Sequence, residues 1–295
     1  MRKFLMGTMT ALLLLALAAC SSGDDKEQTS DKDSGESESK TVTFGITPWT
    51  STVPPTEIAK LIVEDMGYKA EEVKADAGNV FIGLSRGDID VFMDAWLPAH
   101  ENHIAKYKDN IEQTAVSYDD VATGMVVPTY MDDINKVSDI KGKEDLFNNE
   151  MYGIEDGASA TGIINDMLEG YDLDMKQVNS SEGGMLAQAQ RFMSKEEPVA
   201  FFGWRPHTMF NKFDLKVLED DQGEYFEKAS VEVITNKELK ENNPKVYEFL
   251  SNWSISIDDV EKMIEQIETE GKDPKEVAQN WIDNNQDKVN EMLGK

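Results

Sequence analysis

Three of the five tryptophans stand where apolar, strand-like segments end, which makes them candidates for one shared binding site. Trp49, Trp96 and Trp204 each lie within two residues of a proline that restricts the adjoining loop. Ligands of open α/β sheets bind beyond the carboxyl ends of the strands, so rings at these positions would converge. The other two, Trp253 and Trp281, fall in a helical C-terminal region and are interpreted as packing residues.

Converging tryptophan rings suit one kind of ligand, a quaternary ammonium group. Such a cation has no N–H to donate, so it is best held by the negative faces of aromatic rings and by apolar contact with its methyl groups. Each ring contributes about 0.5–2 kcal/mol, and tryptophan is the strongest. For any single tryptophan, packing in the core is the simpler interpretation, but three at equivalent strand ends favour an aromatic cage.

A second candidate element is suited to an anion. Residues 153–160 (GIEDGASA) form a loop of small residues that leads from an apolar strand into a helix. The backbone N–H groups and the positive dipole end of a helix N-terminus attract negative charge. His100, four residues after Trp96, is a further candidate donor, although a lone histidine is more often a surface residue.

Composition and charge exclude several classes of function. Lys and Arg number 29 against 57 Asp and Glu, for a net charge of −28, which argues against binding to the phosphate backbone of nucleic acids. A single cysteine, Cys20, excludes an intrachain disulfide, and no Cys/His spacing resembles a zinc site. With three histidines and no Gly-x-Ser-x-Gly turn, the chain is predicted not to be an enzyme and to use no metal or other cofactor. The acidity indicates a strongly solvated surface or an adaptation to salty surroundings.

The first forty residues carry targeting information rather than a fold. A basic start precedes an apolar run too short to span a bilayer, so residues 1–19 are predicted to be a signal peptide. Residues 17–20 (LAAC) resemble the bacterial lipobox, which predicts lipidation of Cys20; an ordinary signal peptide with an accidental cysteine is the alternative. Residues 20–40 contain no aromatic or aliphatic side chain and are predicted to be a flexible tether.

Strand-like and helical patterns alternate over most of the remaining chain. Apolar segments such as Thr41–Ile46 and Val91–Trp96 predict strands, and helical patterns separate them. The alternation predicts an α/β fold with two lobes, like that of type II periplasmic binding proteins, each lobe a mostly parallel sheet flanked by helices. We assign residues 41–127 and 234–295 to the first lobe and residues 128–233 to the second.

Three short segments give the sequence a family resemblance. They are residues 94–98 (DAWLP), 124–128 (GMVVP) and 203–207 (GWRPH). With these segments the chain resembles the glycine betaine-binding lipoproteins that supply osmoprotectant ABC importers in Gram-positive bacteria. The Trp-Leu-Pro and Gly-Trp-x-Pro-His elements are fairly specific in combination, and the resemblance extends over essentially all of residues 41–295.

The resemblance implies roles for individual residues. In that family three tryptophans surround the trimethylammonium group of the ligand, and they match Trp49, Trp96 and Trp204. Two backbone N–H groups of the small-residue loop hold the ligand carboxylate, and they match Ser159 and Ala160.

Further candidate residues lie near this site in the sequence. A histidine that matches His100 would assist the two N–H groups, and Gly157, Arg205 and His207 are secondary candidates. The sequence departs from the family pattern at Asp156, where proline is common, and at Arg205, where a small polar residue is common. Both departures leave the binding of the ammonium group unaffected and bear on which group the ligand carries at its other end.

The predicted function is that of an extracytoplasmic protein, anchored by lipid to the outer face of the cell membrane. It would bind glycine betaine and deliver it to the permease of an ABC importer. Choline, carnitine and proline betaine are alternative ligands; choline shares the ammonium but has no carboxylate. A secreted enzyme is an alternative from another class, but no cysteine nucleophile remains once Cys20 is lipidated. A purely structural surface lipoprotein is a further alternative, and it would not require aromatic residues at three strand ends. A monomer without nucleic-acid partners is expected.

Overall fold

The computed structural model describes residues 40–226 and 228–295. The predicted signal peptide, the lipidation site Cys20 and the tether as far as residue 39 lie outside the described residues. The remaining elements can all be compared with the sequence predictions.

Two five-stranded sheets, A and B, form the centres of two lobes. In chain order the strands are β1 (Thr41–Ile46), β2 (Lys69–Lys74), β3 (Val91–Leu97), β4 (Ile111–Val121), β5 (Thr123–Pro128), β6 (Glu150–Gly153), β7 (Lys176–Asn179), β8 (Phe201–Trp204), β9 (Leu215–Val217) and β10 (Ala229–Asn236). Sheet A has the order β2-β1-β3-β10-β4, and sheet B has the order β7-β6-β8-β5-β9. The first lobe is built on sheet A and the second lobe on sheet B.

The two sheets share one pattern of strand directions. In sheet A, β2 and β3 run parallel to β1, and β10 pairs antiparallel with β3 and β4. In sheet B, β7 and β8 run parallel to β6, and β5 pairs antiparallel with β8 and β9. The predicted two-lobed α/β fold is therefore present, and each sheet is mixed: four of its strands run in one direction and one runs against them. The reason is that β5 and β10, the first strands after each crossing between lobes, run against the strands beside them.

The chain changes sheets earlier than the sequence predicted. β5 belongs to sheet B from Thr123 onward, and β10 belongs to sheet A from Ala229 onward. The crossings therefore lie at Ala122 and within residues 218–228, whereas the predicted boundaries at 127/128 and 233/234 fall inside strands. Strand-like residues flank Ala122 on both sides, so hydrophobicity alone does not mark the first crossing, whereas the polar residues 219–224 (EDDQGE) fall within the second.

Helices cover the sheets, and the C-terminal helices belong to the first lobe. None of the helices in the described parts of the chain is long and apolar enough to cross a bilayer. α9 and α10 pack on α1, and α9 also contacts a 3-10 turn at Thr50–Thr52. The helices are α1 (Val53–Asp65), α2 (Ala77–Arg86), α3 (Glu101–Tyr107), α4 (Ser159–Gly170), α5 (Glu182–Met193), α6 (Met209–Lys212), α7 (Leu239–Asn242), α8 (Pro244–Ser251), α9 (Ile257–Glu268), α10 (Pro274–Asn284) and α11 (Gln286–Met292), with further 3-10 turns at Val137–Ile140 and Glu144–Phe147.

Each face of sheet A has its own apolar layer. On one face, Phe44 belongs with Ile58 of α1 to a core that continues into the second lobe. On the other face, Phe92 packs edge to face against Phe81 of α2, with 5.8 Å between ring centroids. β3 lies in the middle of the sheet, and every residue of it except the last is buried. The end of β3, where Trp96 stands, is thus fixed by packing on both faces.

The approach of α2 to sheet A depends on a glycine in β1. A Cβ atom added at Gly45 would lie 2.6 Å from Cγ1 of Val80 in α2, well inside van der Waals contact. Only glycine therefore allows the helix and the strand to pack this closely.

We expect Gly45→Ala to lower the free energy of unfolding by about 1–3 kcal/mol, because the added methyl group must push α2 away from the sheet. The control is Gly162→Ala in α4, where an added Cβ meets no atom within 4 Å. That change should be neutral or add up to about 1 kcal/mol through helix propensity. Urea unfolding followed by circular dichroism measures both, and a Gly45→Ala protein as stable as the wild type would contradict this packing.

Candidate functional site

A cavity opens between the two sheets at the ends of several strands. It encloses about 630 Å³ of space not filled by atoms, its open mouth included. No Asp, Glu, Lys or Arg side chain lines it in the described part of the chain. The lining residues are Trp49, Trp96, Pro98, Ala99, His100, Thr123, Ile154, Ala158, Ser159, Ala160, Ile163, Phe202, Trp204, Tyr225, Phe226 and Ala229. All six residues predicted as primary ligand contacts are among them.

Trp49 enters the cavity from the segment that joins β1 to α1. It directly precedes the 3-10 turn at Thr50–Thr52, which leads without a break into α1. The ring is 7% exposed and stacks on His100, with centroids 6.0 Å apart and 16° between the planes. Its Nε1–H donates to Oε1 of Glu155 at 2.8 Å, so a residue of the second lobe holds a ring of the first.

Trp96 stands at the end of β3, before a cis peptide bond between Leu97 and Pro98. Its Nε1–H donates to Oδ1 of Asp94 at 3.1 Å. The other oxygen of Asp94, Oδ2, accepts a hydrogen bond from Oγ of Ser51 at 2.9 Å. One buried carboxylate therefore ties the Trp96 ring to the turn that follows Trp49.

Asp94 is fully buried, and its ionisation is perturbed accordingly. Burial raises the pKa of Asp94 to about 7, and the charge of Glu182 adds to this rise. The hydrogen bonds from Ser51 and Trp96 oppose it because they stabilise the carboxylate.

Trp204 ends β8 in the second lobe and precedes a second cis peptide bond, between Arg205 and Pro206. Its ring is 4% exposed and stacks on Phe202 with 5.4 Å between centroids. His207 meets the same ring edge to face at 4.9 Å. Trp204 thus reaches the cavity from the lobe opposite Trp49 and Trp96, as the strand ends predicted.

His100 is a neutral hydrogen-bond donor towards the cavity. Burial lowers the pKa of His100 to about 3, and the neighbouring His103 lowers it further. Its Nδ1 accepts a hydrogen bond from the backbone N–H of Trp96 at 3.0 Å. The neutral ring must therefore carry its proton on Nε2. No acceptor for Nε2 lies among the described residues.

The first turn of α4 supplies two further N–H groups. Ala158 has extended backbone angles and no side chain caps the helix, so Ser159 and Ala160 begin α4 at the cavity. The N–H of Thr161 bonds to the carbonyl of Ala158, whereas those of Ser159 and Ala160 find no acceptor among the described residues. Free N–H groups at the positive end of a helix dipole can hold an anion.

The structure does not bring the three secondary candidates into the cavity lining. Arg205 points outward and makes a two-pronged ion pair with Glu261 of α9, at 2.9 and 3.1 Å. Buried His207 lies between Glu182 and the N–H of Met209, at 3.0 and 2.9 Å. Gly157 lies near Asp76, the residue before α2: a Cβ atom added at Gly157 would lie 3.6 Å from Cβ of Asp76.

Asp156 is also outside the cavity lining. This exposed residue accepts a hydrogen bond from the side chain of Asn179. The extra carboxylate that departs from the family pattern is thus engaged by the second lobe itself.

Among the described residues, three polar side-chain contacts join the two lobes around the cavity. Besides Trp49 to Glu155, the backbone N–H of Thr50 donates to Oε2 of Glu182 at 3.1 Å, and Arg205 pairs with Glu261. Glu182 itself is buried. The lobes therefore meet around the cavity through carboxylates of α5, α9 and the loop before α4.

Several residues of the site were not predicted from the sequence. Phe202 lies two residues before Trp204 in the same strand, and the period-2 alternation of a strand would have placed both side chains on one face. Asp94 has the same relation to Trp96. No pattern marks Tyr225 and Phe226, which line the cavity from the irregular segment between β9 and β10.

No group of three or more potential metal ligands occurs within residues 40–226 and 228–295.

Comparison with solved structures identifies the same fold in several binding proteins. An ABC-transporter choline-binding protein in complex with choline has 29% sequence identity and a TM-score of 0.81, with 86% of this chain and 91% of that chain covered. Lactococcal OpuAC, in its closed-liganded conformation with glycine betaine, has 29% identity and a TM-score of 0.79, covering 86% and 99%. A glycine betaine/L-proline-binding protein (ProX) from Borrelia burgdorferi has 26% identity and a TM-score of 0.81, covering 87% and 100%. The predicted two-lobed fold is confirmed.

Sequence comparison points to the same group of proteins. The glycine betaine/carnitine transport binding protein GbuC of Listeria monocytogenes is 35% identical over 153 residues, which are 50% of this chain and 51% of GbuC. The match thus spans about half the length of that relative. Residues 40–284 match the family described as the substrate-binding domain of ABC-type glycine betaine transport systems. Its members are binding domains, in agreement with the prediction that the protein is not an enzyme. Because the match covers more than half of the chain, the protein belongs to this family of substrate-binding domains of ABC-type glycine betaine transport systems.

Proposed function

We propose that this protein binds glycine betaine between its lobes and delivers it to the permease of an ABC importer. The observation that supports this most directly is the composition of the cavity lining. It combines three indole rings with neutral donors, His100 and the first N–H groups of α4. A small zwitterion with a trimethylammonium group at one end and a carboxylate at the other matches this combination.

The ammonium end would be held by the rings of Trp49, Trp96 and Trp204. A trimethylammonium group carries its charge over its methyl surface, so several ring faces can contact it at once. The cavity walls are otherwise mainly apolar, which keeps water away from the rings and strengthens the attraction.

The carboxylate end would be held without a full positive charge. The N–H groups of Ser159 and Ala160 and the Nε2–H of His100 together offer three donors. Hydrogen bonds from such donors to a carboxylate are charge-assisted and worth about 1.5–3 kcal/mol each. No arginine or lysine lines the described cavity. A ligand with a net positive charge, such as choline, would therefore meet no charge repulsion from its walls.

Choline or carnitine is the alternative ligand. Relatives of known structure include a choline-binding protein and a glycine betaine-binding protein at equal identity, 29%, so similarity does not separate choline from glycine betaine. Two observations favour glycine betaine. The hydroxyl oxygen of choline carries no negative charge and has two lone pairs for the three donors at His100 and α4, and Asp156, the carboxylate that would suit choline, is engaged outside the cavity.

The location and partners belong to the same proposal. Cleavage before Cys20 and lipidation of its side chain would tether the binding domain to the outer face of the cell membrane through residues 20–40. The protein would then act as a monomer, with the permease subunit as its protein partner.

Removing one ring should weaken every trimethylammonium ligand alike, because all of them present the same methyl surface. We expect Trp49→Ala, Trp96→Ala and Trp204→Ala each to cost about 1–3 kcal/mol in binding of glycine betaine and of choline, measured by titration calorimetry. Trp281→Ala is a matched control, since Trp281 is as buried as Trp49 but lies outside the cavity. It should lower stability and leave affinity unchanged. A cavity variant with wild-type affinity would remove that ring from the proposed site.

Replacing the histidine should separate ligands that have a carboxylate from those that do not. His100→Asn keeps an acceptor near Nδ1 for the Trp96 N–H but removes the Nε2–H donor. We expect glycine betaine to lose about 1.5–3 kcal/mol of binding free energy and choline to lose almost none. Equal losses for the two ligands would show that His100 does not face a carboxylate.

The lipid anchor can be tested in the cell that makes the protein. Cys20→Ser should abolish labelling by radioactive palmitate and should leave the protein unprocessed or released into the medium. Full labelling of the Cys20→Ser protein would contradict lipidation at this residue.

A further inference from the structure

Two of the three indoles in the cavity have a carboxylate on their N–H group. Trp96 donates to Asp94 at 3.1 Å, and Trp49 donates to Glu155 at 2.8 Å. Neither carboxylate lines the cavity itself. In the described part of the chain, no carboxylate reaches the N–H of Trp204. The two carboxyl groups thus lie at the N–H edges of two indoles that line the cavity.

A carboxylate in this position changes what the ring offers to a ligand. Cation–π attraction depends on the negative potential of the ring face. A negative charge on the N–H edge polarises the indole so that its face becomes more negative, and inside a protein such polarisation is screened little by water. The same charge also attracts a cation on the far side of the ring directly. Both effects favour a cationic ligand over a neutral ligand of the same shape.

The environment of Asp94 indicates a role beyond holding a ring. The carboxyl group is completely buried and has no cationic partner among the described residues. A buried carboxylate without a counter-ion costs free energy that a neutral amide would avoid. A ligand cation bound beyond Trp96 would supply the missing countercharge.

Glu155 reaches its ring from the other lobe. It lies in the loop before α4, whereas Trp49 follows β1 in the first lobe. Its contact with the indole therefore forms only when the lobes are together. The Trp96 ring keeps its carboxylate within one lobe, while the Trp49 ring acquires one when the cavity closes.

We propose that Asp94 and Glu155 are positioning residues that act through Trp96 and Trp49 to make the cavity select a cation over an uncharged group of equal shape. This inference rests on the proposed function, since it concerns the ammonium end of the same ligand. Neither residue is a ligand contact; each works through the indole it holds.

The test compares glycine betaine with its carbon isostere, 3,3-dimethylbutanoate, which has the same shape and carboxylate but no positive charge. Asp94→Asn and Glu155→Gln keep side chains of nearly the same size that can still accept a hydrogen bond. By titration calorimetry, each variant should bind glycine betaine about 3- to 30-fold more weakly than the wild type, the range expected for the loss of part of a cation–π attraction. The affinity for 3,3-dimethylbutanoate should stay unchanged or increase.

The control is Glu261→Gln, which removes a carboxylate that joins the lobes without touching an indole. It should leave the ratio of the two affinities at the wild-type value. If Asp94→Asn and Glu155→Gln weaken both ligands by the same factor, the carboxylates only orient the rings and the inference is wrong. If the wild type binds no trimethylammonium ligand at all, the proposed function is wrong. That result differs from equal weakening of both ligands in the variants, which contradicts only the role of the two carboxylates.

The pH dependence of glycine betaine affinity gives a second test, and it uses only the wild-type protein. Asp94 faces the Glu182 carboxylate and the phenol of Tyr118, whose pKa is raised well above its ordinary value by burial and by the Asp94 charge. Asp94 is neutral below its pKa and charged above it, and a bound cation favours the charged form. Affinity for glycine betaine should therefore rise by up to about tenfold between about pH 5.5 and 8.5, with protons released on binding. A wild-type affinity that is flat over this range would overturn the role of Asp94.

Discussion

An organic cation without an N–H group can be held in a dry cavity only by negative potential on the surrounding surface, and aromatic faces supply it without a competing formal charge. Those faces have to stay where the fold puts them. In this protein two of the three rings end β3 and β8, the middle strands of the two sheets, which are the positions least able to shift. The third, Trp49, lies on a turn that α9 packs against and that Ser51 fastens to Asp94.

The two lobes repeat one arrangement where their middle strands end. In each, the middle strand ends in a tryptophan, then comes a cis peptide bond to proline, and then a histidine whose Nδ1 accepts a backbone N–H. The two histidines nevertheless differ in what their Nε2 atoms meet. That of His100 has no acceptor among the described residues, whereas that of His207 meets Glu182, the carboxylate that reaches across to Thr50. One topology thus places one histidine at the cavity with its Nε2 unbonded among the described residues and another beside the contact between the lobes.

The parts that the sequence predicted are those whose signal is local. β1 was predicted at its observed bounds because Thr41–Ile46 is a short, β-rich apolar segment, and the cavity tryptophans follow from their place at strand ends. Strands β4, β7 and β9 were missed because they lie at sheet edges, where polar residues face solvent and blur the alternation. Glu155 and Tyr225 were missed for a different reason. Their roles arise from packing between distant segments, and no local pattern states which side chain will face which ring.

The ion pair between Arg205 and Glu261 differs from the other links between the lobes in its exposure to solvent. The Arg205 side chain is 47% accessible, whereas Glu182 is buried and meets a backbone N–H rather than a free cation. Mobile ions shorten the range of exposed charge interactions from about 10 Å at 0.1 M salt to about 3 Å at 1 M. Concentrated brine would therefore weaken the outer link and spare the buried one. In concentrated salt, the equilibrium between open and closed lobes would therefore depend mainly on buried contacts such as that of Glu182 with the N–H of Thr50.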